Sequence, residues 1–229
     1  MKILITGVSK GIGLATAKYF LKHGHEVIGI SRTVPTWQHE KFTHYSIDLK
    51  DLKNLPLHLK QIVKEQSNVD WIVVNAGIGQ FGNLEQMSFD AINAVIQTNL
   101  LSPIYITKAF LPLFKTKGKG GFIFIGSEAS LHGKRQGTIY CASKFGLRGF
   151  TQALRDECCN TALKVTLINP GMVDTNFFDE LSFQPGEESN QRLESSDIVD
   201  TLSMIIEARE GCHFDEINLS PQNKKIVFK

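Results

Sequence analysis

In the pentapeptide YCASK, Tyr140 and Lys144 stand four residues apart, which on a helix puts a phenol and an amine on one face, one turn from each other. Ser127 precedes the tyrosine by thirteen residues (140 − 127 = 13). A free phenol titrates near about 10, so moving its proton at neutral pH needs a neighbouring cation, which Lys144 can supply. A serine hydroxyl beside that pair can hold an oxygen on which charge develops. Tyrosine and lysine at this spacing also occur on ordinary amphipathic helices, so their meaning depends on their setting. The second chemical stretch is TGVSKGIG, Thr6 to Gly13, directly after the run KILIT. Gly7, Gly11 and Gly13 clear side chains where a strand turns into a helix, and the free N–H groups at that helix start suit a pyrophosphate. This is the physical design of a dinucleotide-binding turn.

Both stretches need a scaffold, and the remaining sequence supplies one. Seven runs rich in β-branched residues read as strands, at 2–6, 26–30, 44–47, 71–75, 121–126, 164–169 and 215–220. Stretches of helical period lie between most of them, such as GLATAKYFLKHG, LHLKQIVKEQ and DIVDTLSMIIEARE. Strand alternating with helix predicts an α/β fold, a doubly wound, mainly parallel seven-stranded sheet with helices on both faces. On this reading Ser127 follows the fifth strand, and Tyr140 sits near the start of the next helix. In SPIYITKAFLPLF, Ser102 and Pro103 read as a helix start, and the helix is apolar on most faces. No linker or composition shift divides the chain, so residues 1–229 are expected to form a single domain.

At this point the sequence resembles the short-chain dehydrogenase/reductase family. Thr6 to Gly13 matches its T-G-x-x-x-G-I-G turn at every fixed position, NAG (Asn75 to Gly77) ends the fourth strand, and YCASK supplies its Y-x-x-x-K motif. NPGMVDT (Asn169 to Thr175) is similar to its P-G-x-V-x-T segment. The resemblance implies a Rossmann-type sheet and an oxidoreductase that moves a hydride between a nicotinamide and a small-molecule carbonyl or secondary alcohol. Tyr140 would be the general acid or base, Ser127 would hold the substrate oxygen, and Lys144 would bind ribose hydroxyls with Asn99 keeping its ammonium in place. The cofactor would lie along Gly7, Ser9, Lys10, Gly11, Ile12 and Gly13, then Ser31 and Arg32, Asp48 and Leu49, and Asn75, Ala76 and Gly77. Tyr140, Lys144, Pro170, Gly171, Val173 and Thr175 would complete its contacts. No metal is required. The segment at about 172–196, with Phe177, Phe178, Leu181 and Phe183, would select the substrate, as an apolar lid or as a short helix packed on the body.

An acid at the end of the second strand would bind a ribose 2′-hydroxyl and favour NAD, whereas an arginine there accommodates a 2′-phosphate. The strand ends in GISRT, with Ser31 and Arg32, and Lys10 can add a second positive charge. The expected cofactor is NADP(H), with NAD(H) second. A net charge of +2 from 25 basic and 23 acidic residues argues against a nucleic-acid partner. Four cysteines without zinc or disulfide spacing fit a reducing compartment, and no run is long enough for a membrane span, so the cytoplasm is the expected location. By resemblance, the Ser102 and Tyr140 helices would form the face of a homodimer or homotetramer. One rival function is a sugar-nucleotide epimerase or dehydratase, and the other is a regulator that binds the dinucleotide without turnover. The presence of Ser127, Tyr140 and Lys144 together argues against the regulator.

Overall fold

The computed structural model describes residues 1–229. In chain order it forms β1 (Lys2–Thr6), α1 (Gly11–Lys22), β2 (Glu26–Ser31), β3 (Phe42–Ser46), α2 (Leu55–Glu65), β4 (Trp71–Val74), α3 (Phe89–Ile96) and α4 (Ser102–Lys117). Then come β5 (Gly120–Ile125), α5 (Thr138–Cys158), β6 (Leu163–Pro170), β7 (Phe183–Pro185), α6 (Ser195–Glu207), β8 (Glu216–Leu219) and β9 (Ile226–Phe228). Seven strands build one sheet in the order β3-β2-β1-β4-β5-β6-β8, and every pairing in it is parallel. The order reverses between β1 and β4, which opens a crevice at the carboxyl ends of these two strands.

Side-chain alternation explains the two-sided core. Leu4, Ile72, Val74, Phe122 and Phe124 face α2, α4 and α5, whereas Ile3, Ile5, Val73, Ile123 and Ile125 face α1 and α6. Strands covered on both faces read as continuous apolar runs, which is why these segments stood out in the sequence. Burying each such side chain contributes about 1.5–3 kcal/mol. No helix is long and apolar enough to cross a membrane.

Three features depart from the sequence reading. The third strand starts at Phe42, because residues 32–41 cross the sheet without a helix and lay Trp37 4.4 Å from the Phe42 ring. Strands β7 and β9 form an additional antiparallel ribbon, with Phe183 opposite Phe228. Ser102 is not a helix cap: α3 continues through a widened π turn, Gln97–Leu101, into α4, and the Ser102 hydroxyl donates to the Thr98 carbonyl at 2.8 Å. The widened turn accommodates Pro103, whose missing N–H and bulky ring would break a regular helix.

Candidate active site

The glycine turn connects β1 to α1 at the reversal of strand order. Gly7 has φ +78°, which an L side chain rarely adopts, and a Cβ on Gly13 would lie 2.2 Å from the Gly7 carbonyl oxygen. Asn75 holds the turn from β4: its amide donates to the Thr6 carbonyl at 2.9 Å, while the Thr6 hydroxyl accepts from the Asn75 and Ala76 N–H groups. The start of α1 has no side-chain cap and no acidic residue in its first turn, so its N–H groups and positive dipole end are free to meet an anion. Ser9 and Ile12 flank this opening, and Thr175 approaches across it, 3.4 Å from the position of a Gly11 Cβ.

Tyr140 lies in the first turn of α5 and Lys144 one turn later, both almost fully buried. The Lys144 ammonium donates to the Ile125 carbonyl at 2.9 Å and stands 5.8 Å from the centre of the Tyr140 ring. Asn99, on the π turn, clamps Ile78 by accepting from its N–H and donating to its carbonyl, each at 2.9 Å. Its amide also donates to the Ser143 hydroxyl at 3.2 Å, and that hydroxyl donates to the Tyr140 carbonyl at 2.7 Å. Asn99 thus ties the turn after β4 to the first turn of α5, with Gly77 between Asn99 and the Lys144 ammonium.

Loss of hydration pushes the Tyr140 phenol up to about 12, while the facing Ser127 hydroxyl acts in the opposite direction. The same burial pushes the Lys144 amine down to about 8. In the free chain burial therefore outweighs the help that the sequence reading expected from Lys144, and the phenol stays protonated at neutral pH. Ser127 follows β5, where its hydroxyl accepts from the Ala129 N–H at 3.2 Å. Ser130 Oγ lies 2.8 Å from both the Asn169 Oδ1 and the Ser127 carbonyl oxygen and shares its one proton between these two acceptors, so Asn169 at the end of β6 braces the Ser127 turn.

Aromatic rings cover the phenol. Phe81 lies 5.0 Å and Phe177 5.9 Å from the Tyr140 ring, and Phe183 meets Phe81 edge-on at 4.9 Å. Phe177 also sits directly on Gly79, whose Cβ would come within 2.5 Å of the ring. The 172–196 segment is neither a long helix nor a bare loop: a short turn at Asn176–Phe178 leads into β7, which pairs with β9. The Lys229 ammonium donates to the Phe178 carbonyl at 2.7 Å, and Lys224 pairs with Glu128 beside Ser127.

The remaining expected contacts differ in side-chain availability. Arg32 and Lys10 are exposed, and neither side chain has a hydrogen bond or ion pair. Ser31 is buried, and its hydroxyl already contacts the Thr33 carbonyl at 2.8 Å and the His44 ring at 2.9 Å, so it is not free for a phosphate. Asp48 accepts from the Lys50 N–H at 3.1 Å, and the Leu49 side chain is buried in the core. Pro170 ends β6, Gly171 donates to the Leu219 carbonyl, and Val173 bridges to Leu193. Phe81, Ser130, Ser143 and the bracing role of Asn169 were not foreseen, because residue type alone does not separate them from ordinary packing and turn residues. No three His, Cys, Asp or Glu side chains converge on a common point.

The model of the short chain dehydrogenases matches residues 1–185. A 3-ketodihydrosphingosine reductase of Bacteroides thetaiotaomicron is 32% identical over 216 residues, covering 92% of this chain and 78% of the relative. An NADP-dependent 3-hydroxy acid dehydrogenase of Schizosaccharomyces pombe is 30% identical over 227 residues, covering 91% of this chain and 88% of the relative. A solved 4-hydroxyisoleucine dehydrogenase complexed with NADH and succinate, 24% identical, shares the fold with a TM-score of 0.86 over 96% of this chain and 97% of its own. With that family match added to the glycine turn, the strand order and the Tyr140 helix, this chain belongs to the short-chain dehydrogenase/reductase family of oxidoreductases.

Proposed function

We propose that the chain interconverts a small-molecule carbonyl compound and its alcohol with NADP(H), Tyr140 carrying the proton. The observation behind this reading is the buried Tyr140 and Lys144 pair, set beside the Asn75 to Gly77 turn that also holds the glycine turn before the uncapped start of α1. The residues fit the cofactor: free N–H groups of α1 suit its diphosphate, and the unpaired Arg32 and Lys10 cations suit a 2′-phosphate. When bound, the nicotinamide supplies or accepts the hydride. Ser127 holds the substrate oxygen, and Tyr140 donates its phenolic proton to that oxygen as negative charge develops. Burial keeps the phenol protonated at neutral pH, so it holds the proton that carbonyl reduction consumes. Lys144 binds the ribose hydroxyls, and Asn99 acts through Ile78 and Ser143 to keep the first turn of α5 in register.

Phe81, Phe177 and Phe183 favour a substrate with an apolar group next to its carbonyl. A groove of about 240 Å³ between α4 and α5, lined by Ile104, Leu111, Phe150 and Leu154, supports a homodimer through these helices. Calorimetric titration with NADPH and NADH, followed by NADPH consumption over a panel of ketones, tests the function. Tighter binding of NADPH and turnover of apolar ketones are expected. Binding without turnover of any carbonyl or alcohol would favour the regulator, and absence of binding would remove the reading altogether.

A further inference from the structure

The end of β2 holds a small hydrogen-bond lattice that the proposed chemistry does not use. Ser31 Oγ lies 2.8 Å from the Thr33 carbonyl oxygen and 2.9 Å from His44 Nε2. A serine hydroxyl has one proton, and a carbonyl can only accept, so both contacts are hydrogen bonds in a single arrangement. Ser31 donates to Thr33, and His44 donates its Nε2–H to Ser31. One residue further along, the Ser46 hydroxyl donates to the Arg32 carbonyl at 2.9 Å. His44 and Ser46 alternate along one face of β3, in register with Gly29 and Ser31 of β2. The carbonyls of Arg32 and Thr33 are therefore both anchored to side chains, where the chain leaves the sheet and enters the helix-free crossing at 32–41. The Arg32 guanidinium itself stays exposed and unpaired.

We propose that His44 and Ser46 are positioning residues for cofactor selection: through Ser31 and the Arg32 carbonyl they fix the backbone that aims Arg32 at a 2′-phosphate. This rests on Arg32 being the phosphate ligand, and it gives Ser31 the role of a strut in place of a ligand. A long cation on a tethered backbone loses less freedom on binding than one on a free loop, so the lattice raises affinity without touching the ligand. The benefit falls on NADPH and not on NADH, because only NADPH carries the group that Arg32 meets.

The test is calorimetric titration of NADPH and NADH into the wild-type protein and into Arg32→Ala, His44→Ala, His44→Gln and Ser46→Ala. Arg32→Ala should erase the preference for NADPH. His44→Ala and Ser46→Ala should each weaken NADPH binding by about threefold to tenfold, as for one or two lost hydrogen bonds, and leave NADH within about twofold. His44→Gln, whose amide can donate to Ser31, should restore most of the loss. If His44→Ala fails to fold, His44→Gln and Ser46→Ala carry the comparison. Unchanged NADPH affinity in His44→Ala and Ser46→Ala, with Arg32→Ala impaired, would overturn the strut and leave the phosphate reading standing. Equal losses for both cofactors would reduce the lattice to general stability and overturn it too. An Arg32→Ala protein that still prefers NADPH would remove the phosphate reading, and the strut with it.

Discussion

Replacing Lys144 by methionine should stabilise the free protein while abolishing its turnover. The ammonium is almost fully buried, and its one protein partner is the Ile125 carbonyl at 2.9 Å. Its pKa falls from 10.5 to about 8, which corresponds to about 3 kcal/mol charged against keeping this lysine ionised at neutral pH. Methionine keeps the apolar stem and loses the hydrogen bond, worth about 1 kcal/mol, so a net gain of about 1–2 kcal/mol is expected. For a domain of this length that raises the melting temperature by about 2–8 °C. The pH dependence fixes the cause. Because the folded pKa lies below the unfolded one, the unfolded chain holds the proton more strongly between about 8 and 10.5, and wild-type stability rises with pH through that window. Lys144→Met has no such group. Its advantage should shrink by about 2 kcal/mol between about pH 7 and about pH 9.5, measured by urea unfolding at both values. A variant that is less stable at neutral pH, or a gap that ignores pH, would refute the assignment of Lys144 as a buried charge kept for function.

Gly13→Ala should cost about 1–3 kcal/mol of stability by thermal unfolding and weaken cofactor binding, since its methyl would lie 2.2 Å from the Gly7 carbonyl. Arg32→Asp should lower NADPH affinity by about tenfold to a hundredfold and NADH affinity far less, measured by calorimetry. Phe177→Ala should lower kcat/KM for ketones bearing an apolar group about tenfold relative to small polar ketones, as the ring beside Tyr140 is removed.

The centre of the sheet was legible because its strands are apolar on both faces, so that runs such as WIVV and GFIFI have no competing helical reading. The ribbon of β7 and β9 was not, since three residues ending in Pro185 carry too little periodicity to register. The Ser102-Pro103 pair read as a helix start because proline favours that place, and only the π turn explains why the helix runs on. Motif spacing singled out Tyr140, Lys144 and Ser127, and the structure brings these three side chains near one another. Spacing carries no information on burial, however, and burial is what moves the phenol up instead of down. Phe81 and Asn169 reach the site from distant parts of the chain, and Ser31 lost its free hydroxyl to His44, thirteen residues on. Contacts of that separation are written in topology, not in local pattern.

Tyr140→Phe is the most direct trial of the proposed mechanism. The substitution removes one hydroxyl and keeps the ring that packs against Phe81 and Phe177. NADPH binding would be titrated first, then ketone reduction followed by loss of reduced nicotinamide. Cofactor affinity is expected within about twofold of wild type, with a fall in kcat of about a hundredfold to ten-thousandfold, as for loss of a general acid. Turnover that survives the substitution would contradict that mechanism.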